Sequence, residues 1–356
     1  MKKYCKEVHT VTAHKISKFR HLPGIIKALF TGQPLDSKFV FYKPMVRIIQ
    51  DILKRNKMDL IQIEHSFMAE YVKIIPKNHN IKKALTFHNI CYVQYKRLFQ
   101  TEKRFFRKIR NLFNWLAMET WEPRTAALFD KCITVSEIDK EMILKKGRNL
   151  NISVVPNGID IQKFIRLAKT EKNNLIFIGK MSYQPNEDAV LYFVHEIFPF
   201  IKEKISDAKF YIVGPNPPEE IIALAENKNI IVTGFVKNLT PYYRNSKVSI
   251  VPLRAGGGTR LKILESMGLG RPVVSTSIGC EGICVQQGRN IFIADDPSAF
   301  ARRCIQLMSD KRTWNRITKN GRELVEKRYS WEKIGNELRL EYESMIQGPV
   351  TTRQNN

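Results

Sequence analysis

Short apolar runs recur along this chain, spaced so that one helix fits between each pair. Leu60–Ile63, Ala84–Phe87, Cys132–Val135, Ile152–Val155 and Leu175–Ile178 open the series. Phe210–Val213, Ile230–Val232, Val248–Val251, Pro272–Ser275 and Ile291–Ile293 complete it. These runs are too brief for helices and too continuous for strands with one wet face. Parallel strands covered on both faces read this way. Helical patterns such as Ala189 to Lys204 and Pro297 to Met308 lie between them. Alternating strands and helices predict an α/β architecture with helices on both faces.

A chain of 356 residues suits two domains, because single cores stop growing near 250–300 residues. The pattern breaks at Val155-Pro156-Asn157-Gly158-Ile159-Asp160, a turn sequence followed by a charged stretch from Lys163 to Asn174. The expected division is an N-terminal domain over 1–158, a second over 159–335, and a helix end with a frayed tail over 336–356.

The formal charge is +25, and the first 150 residues carry most of the surplus. Such a balance implies an anionic partner. No RNA- or DNA-binding motif accompanies it, so nucleic acid is not expected. The six cysteines form no C-x-x-C and no zinc spacing, which suits free thiols in a reducing compartment. No apolar run reaches 18 residues and the basic N-terminus lacks an apolar h-region. The protein is therefore expected in the cytoplasm. Arg97 to Trp121 reads as one basic amphipathic helix. It carries Lys103, Arg104, Arg107, Lys108 and Arg110 with Phe105, Phe106, Ile109, Phe113 and Trp115. Such a helix suits peripheral contact with the anionic inner face of a membrane.

The chemistry-bearing stretch is Gly256-Gly257-Gly258-Thr259-Arg260-Leu261-Lys262-Ile263-Leu264-Glu265. Three glycines expose backbone N–H groups to a phosphate. Arg260 and Lys262 add positive charge, and Glu265 can accept from the two hydroxyls of a ribose. The run follows a buried strand, so it reads as a cradle for a nucleoside diphosphate. Lys180, just after the strand Leu175–Ile178, could reach a phosphate. Backbone groups of Gly234, Phe235 and Val236 could hold a base edge.

Residues 154–332 resemble family 4 of the retaining glycosyltransferases, which have the GT-B fold. The matching stretches are Val-Pro-Asn-Gly-Ile-Asp (155–160), Phe-Ile-Gly-Lys-Met (177–181), Pro-Asn-Glu-Asp-Ala (185–189) and Thr-Gly-Phe-Val (233–236). The glycine-to-Glu265 run, Gly-Arg-Pro-Val-Val-Ser-Thr (270–276), Gly-Cys-Glu-Gly (279–282) and Tyr-Ser-Trp (329–331) continue the match. Thr-Phe-His-Asn (86–89) and Thr-Val-Ser-Glu (134–137) extend it into the first half. The resemblance implies two Rossmann-like domains facing a cleft. It implies a hexosyltransferase that moves a sugar from a UDP- or GDP-linked donor to a glycan or lipid-linked acceptor, with retention. The roles follow from it: Glu265 on the ribose, Lys180 where the family has a phosphate-binding Arg, His88 as the catalytic residue at the reacting sugar. His65 and Asn89 fall on the acceptor side. No metal and no other cofactor is expected.

Two departures from the family matter. Gly257 stands where a Glu eight residues before Glu265 is usual, and Gln184 and Pro185 stand where a second phosphate lysine is usual. Arg260 and Lys262 are expected to restore that charge. The opening Met1–Val11 reads as the third strand of such a domain, which implies that the first strand–helix unit is missing. A defective relative that binds nucleotide and transfers sugar poorly is the alternative expectation.

Overall fold

The computed structural model describes residues 4–12, 34, 41–76, 80–102, 104–147 and 149–347. Lys103 and the tail beyond Gln347 lie outside the described residues. Two compact units form. One is Val155–Leu338; the other joins the chain before Val155 to the chain from Arg339 on. The break falls a few residues ahead of the expected boundary. The last helix is not a simple appendage, because Glu341 binds Lys131 Nζ at 2.6 Å and Ser153 Oγ at 2.8 Å. Those contacts draw its second half into the first unit.

The first unit holds α1 (Lys43–Arg55), β1 (Leu60–Glu64), a 3-10 stretch (Ser66–Ile74), β2 (Lys82–Phe87), α2 (Cys91–Thr101), α3 (Phe105–Ala126), β3 (Lys131–Thr134), α4 (Glu137–Leu144) and β4 (Ile152–Val154). Its parallel sheet has four described strands in the order β1-β2-β3-β4. Of the strand expected over Met1–Val11, residues 1–3 lie outside the described residues and residues 4–11 form no strand. They are largely exposed, and Glu7 pairs locally with His9 at 3.0 Å, so no ladder or core holds them extended. The expected single helix from Arg97 to Trp121 is two helices. The chain turns extended at Glu102 and Arg104, where the Glu102 carboxylate accepts from Arg104 N at 2.8 Å. The start of α2 is held by a buried carboxylate. Glu122 of α3 accepts from Ser66 Oγ at 2.8 Å, Cys91 N at 3.0 Å and Tyr92 N at 3.1 Å. It satisfies donors that a helix N-terminus leaves orphaned. Burial pushes its carboxyl up, and these hydrogen bonds pull it back.

The second unit holds β5 (Asn174–Ile178), α5 (Gln184–Tyr192), α6 (Phe198–Lys204), β6 (Lys209–Val213), α7 (Glu219–Ala223), β7 (Ile230–Val232), α8 (Thr240–Arg244), β8 (Val248–Val251), α9 (Leu261–Gly268), β9 (Val273–Ser275), β10 (Phe292–Ile293), α10 (Pro297–Ser309), α11 (Lys311–Arg328) and the start of α12 (Trp331–Gln347). The helix expected over Ala189 to Lys204 is interrupted by a π-turn at Phe193–Ile197. Pro199 follows at the head of α6. Proline lacks the N–H that would continue the ladder, and the widened turn absorbs the misfit. Phe177, Phe193, Phe210 and Phe300 fill the core, with Phe193 and Phe210 centroids 4.7 Å apart.

This second sheet is parallel, with six strands in the order β10-β9-β8-β5-β6-β7. The chain runs outward from β5 to β7, returns to β8 beside β5, then runs outward the other way. That reversal is a topological switch point, where the crevice beyond the strand ends takes ligands in doubly wound sheets.

Candidate active site

The glycine run leaves β8 at this switch point. Its backbone needs the glycines: Gly256 has φ +131° and Gly258 has φ +69°. Two arginines brace the loop. Arg254 Nε donates to Asp188 Oδ2 at 3.0 Å and its guanidinium lies over the Tyr192 ring at 4.5 Å. Arg260 is only 7% exposed and donates to the carbonyls of Gly258 and Ile278. Expected as a phosphate cation, Arg260 is engaged in holding the loop's shape. Thr259 Oγ1 is buried in the loop with no hydrogen-bond partner among the described residues.

The loop delivers the chain into α9. Ser266 anchors the underside of that helix, donating to Ser249 Oγ at 2.8 Å and lying 3.2 Å from Tyr243 Oη. Lys262, one residue past the first position of α9, brings its amine to the end of β5. Its Nζ donates to Asn186 Oδ1 at 2.9 Å and sits 4.0 Å from the centre of the Phe177 ring. No carboxylate pairs with it among the described residues. Burial, helped by the charge of Arg260, brings its pKa down from the ordinary lysine value of 10.5 to about 7. Glu265 lies one turn on, part-buried and with no hydrogen-bond or ion-pair partner among the described residues. Burial pushes its carboxyl up and Lys262 pulls it back.

The neighbouring strand ends close on the same crevice. Gly179 N donates to Val213 O at 3.1 Å, and Gly214 N donates to Gly234 O at 3.1 Å. The approach is so tight that a Cβ on Gly214, whose φ is +150°, would lie 1.8 Å from Gly179 O. Gly214→Ala is therefore expected to cost about 2–5 kcal/mol, combining backbone strain with overpacking. Chemical denaturation of the variant checks this. Lys180 is exposed, and its carbonyl accepts from Asn186 Nδ2 at 3.0 Å. Phe235 is 71% exposed, whereas Val236 packs inward near Tyr243 and Leu269. Asn186 thus ties Lys262 to the Lys180 backbone, and Gly234 reaches Gly179 through Gly214.

Asn186 falls in the matching stretch 185–189 but has no role assigned from the sequence, although it binds both the Lys180 carbonyl and Lys262 Nζ. Its signal is a polar residue, 7% exposed, in the first helical turn after a switch-point strand.

In the first unit, the carboxyl ends of β1 and β2 gather the two histidines. Their ring centroids lie 4.4 Å apart. Glu64, a residue with no role assigned from the sequence, meets His88 Nε2 at 2.7 Å. Its signal is an acid ending an apolar strand beside a histidine. Burial and the nearby His88 hold His65 below the usual histidine value. Asn89, just ahead of α2, is engaged by that helix: its amide donates to Gln94 and its oxygen accepts from Cys91 Sγ at 3.6 Å.

Two family models match the chain. One, Glycosyltransferase Family 4, covers residues 7–163; the other, Glycosyl transferases group 1, covers residues 172–310. The chain belongs to glycosyltransferase family 4. Among relatives of this family 4 member is an uncharacterized 44.6 kDa protein in the cps region of Klebsiella pneumoniae. It is 27% identical over 336 residues, which are 88% of this chain and 84% of that protein. A second is the UDP-Gal:alpha-D-GlcNAc-diphosphoundecaprenol alpha-1,3-galactosyltransferase of Escherichia coli. It is 22% identical over 96% of this chain and 88% of its own. Two solved structures share the GT-B fold. Sucrose-phosphate synthase from Thermosynechococcus elongatus has a TM-score of 0.71 at 16% identity, over 85% of this chain and 77% of its own. Anabaena HepE, in complex with UDP and glucose, has a TM-score of 0.66 at 14% identity, over 85% and 81%. This family 4 chain is a glycosyltransferase of the GT-B fold. Among its described residues no helix is long and apolar enough to cross a membrane.

Proposed function

We propose that this glycosyltransferase moves a hexose from a UDP-sugar to a hydroxyl of a lipid-linked or polysaccharide acceptor, with retention of configuration. The observation that carries the reading is Glu265: a part-buried carboxylate with no described partner, one turn from Lys262, at the switch point. A ribose diol supplies the two donors that such a carboxylate lacks. Uridine is favoured over guanosine because HepE was solved with UDP, and the E. coli relative is named for UDP-galactose and a diphosphoundecaprenol acceptor. In the reaction the bond from the anomeric carbon to the diphosphate breaks and a bond to the acceptor oxygen forms. The departing diphosphate takes the acceptor's proton, so the products are glycoside and UDP.

The protein's part is positioning and charge stabilisation. Gly256–Thr259 present backbone donors to the diphosphate, with Lys180 and Lys262 as cations. Arg260 keeps the loop in shape. Gly234 and Phe235 flank the base, the exposed Phe235 ring being free to stack. His88 and His65 meet sugar hydroxyls. The charge on the diphosphate is met by these groups, so EDTA is expected to leave turnover unchanged. Calorimetry with UDP tests the assignment. Glu265→Ala is expected to weaken UDP about 10- to 100-fold, the range for hydrogen bonds to a charged group. Unchanged UDP affinity in that variant would remove the ribose role.

Membrane contact through α3 belongs to the same reading. Phe105 and Phe106 are 70% and 85% exposed beside the exposed Arg104 and Arg110. Such a patch lays aromatics into an interface and guanidinium groups on anionic headgroups. The double variant Phe105→Ser/Phe106→Ser is expected to lose most cosedimentation with phosphatidylglycerol vesicles, while UDP affinity stays unchanged.

A further inference from the structure

Glu64 is the last residue of β1, paired across the sheet with Thr86 of β2. The next residue turns back sharply. His65 N still donates to Thr86 O at 3.0 Å, yet His65 adopts φ +70°, a left-handed conformation uncommon outside glycine. That turn brings the His65 ring onto the His88 ring, 4.4 Å away and tilted by 43°. Strain of this kind persists only where the surroundings enforce it, and it gathers at functional sites.

Both oxygens of the Glu64 carboxylate are held. Gln62 Nε2 donates to one of them, and also to Thr86 Oγ1 at 2.7 Å. The other lies 2.7 Å from His88 Nε2. A carboxylate can only accept, so the proton of this contact belongs to His88 Nε2. In a neutral imidazole the second nitrogen, Nδ1, then carries a lone pair and accepts. The neighbouring ring adds no charge of its own, because burial disfavours the charged form of His65.

We propose that Glu64 is the positioning residue of His88: it fixes the Nε2–H form and ring orientation, so that Nδ1 accepts a hydrogen bond from a carbohydrate hydroxyl. The sugar-transfer reading above supplies the carbohydrate. Glu64 itself touches no ligand. A ligand carboxylate is disfavoured at this place, since neither the Nδ1 lone pair nor the nearby Glu64 charge can receive it. The site thus selects a hydroxyl-bearing sugar against a uronate.

The full chain labelled with 15N-histidine gives a direct readout. Ring nitrogen shifts of His88, assigned by the signals lost in His88→Ala, should report the Nε2–H form in the native protein. Glu64→Leu should lose that preference, and with Glu64 half exposed the variant should fold normally. A native Nδ1–H form, or unchanged His88 shifts in Glu64→Leu, overturns the proposal. Turnover is measured as UDP release from a panel of UDP-sugars in a double-mutant cycle. Glu64→Leu is expected to lose about ten- to a hundredfold, the scale of a mispositioned group. It should lose nothing further in the His88→Ala background. A full additional loss there would mean that Glu64 acts by itself, against the proposal. Absence of all turnover would count against the transfer reading, while the ring spectrum still decides on Glu64.

Discussion

Replacing Arg271 with leucine is expected to lower the unfolding free energy by about 3–5 kcal/mol, the range for breaking a buried charged network. Arg271 has no exposed surface. Its guanidinium donates to four backbone carbonyls: Tyr243 O at 2.8 Å, Gly270 O at 3.0 Å, Ala168 O at 2.7 Å and Leu167 O at 3.5 Å. Two of these belong to the segment entering the second unit and one to α8. Leucine fills part of the volume and leaves the carbonyls unpaired, each costing about 1–3 kcal/mol before relaxation. Burial lowers the pKa of Arg271 to about 10, so it remains charged at neutral pH and its bonds remain charge-assisted. Arg271→Lys should recover little, because a single ammonium cannot reach carbonyls disposed around a planar fork. Urea unfolding of the full chain measures both variants. A loss below about 1 kcal/mol in Arg271→Leu would show that water replaces the guanidinium.

Arg271 also marks the limit of what the sequence reveals. It sits in a stretch that reads as a turn before a strand, where an arginine is normally solvated. Only the packed chain shows that carbonyls from distant segments point at it. Glu122 is a similar case: a carboxylate in a helix, buried because the N-terminus of α2 needs an acceptor. The strands were legible for the opposite reason. Parallel strands buried on both faces carry their burial in consecutive letters, and the ten expected apolar runs overlap the ten described strands. Helix ends were less legible. Glu102 and Arg104 lie in a stretch with no Gly or Pro, so local propensity gives no stop and the packing of α2 against α3 makes it. Aromatic contacts show that packing, with Phe99 and Trp115 centroids 5.9 Å apart. At the site, the glycine run and Glu265 were readable as types of chemistry. The partition between Arg260, which braces the loop, and Lys262, which faces the crevice, depends on side-chain direction that spacing does not encode.

UDP affinity should fall as pH rises above 7, and Lys262 should be the cause. In the empty site its amine titrates at about 7, against 10.5 for an ordinary lysine. A bound diphosphate favours the ammonium, so binding near and above pH 7 takes up a proton. Linkage then makes Kd rise by up to about tenfold per pH unit until the pKa of the complex is passed. The effect of the same group on folding has the opposite sign. Its folded pKa is depressed, so between about 7 and 10.5 the unfolded chain holds a proton that the folded chain does not. Stability contributed by this group therefore increases with pH across that window, and below it the fold carries a buried charge. Lys262→Met removes both slopes. The variant should bind UDP more weakly at pH 6.5, by about tenfold or more for one lost charge-assisted contact, and its Kd should show little pH dependence. The difference between wild type and variant isolates Lys262 from other titrating groups. Calorimetry at pH 7.5 in buffers of unequal ionisation enthalpy should show proton uptake by the wild type and none by the variant. Equal pH slopes in the two proteins would mean that Lys262 stays charged in the empty site, held by Asn186 and the Phe177 ring without regard to the ligand.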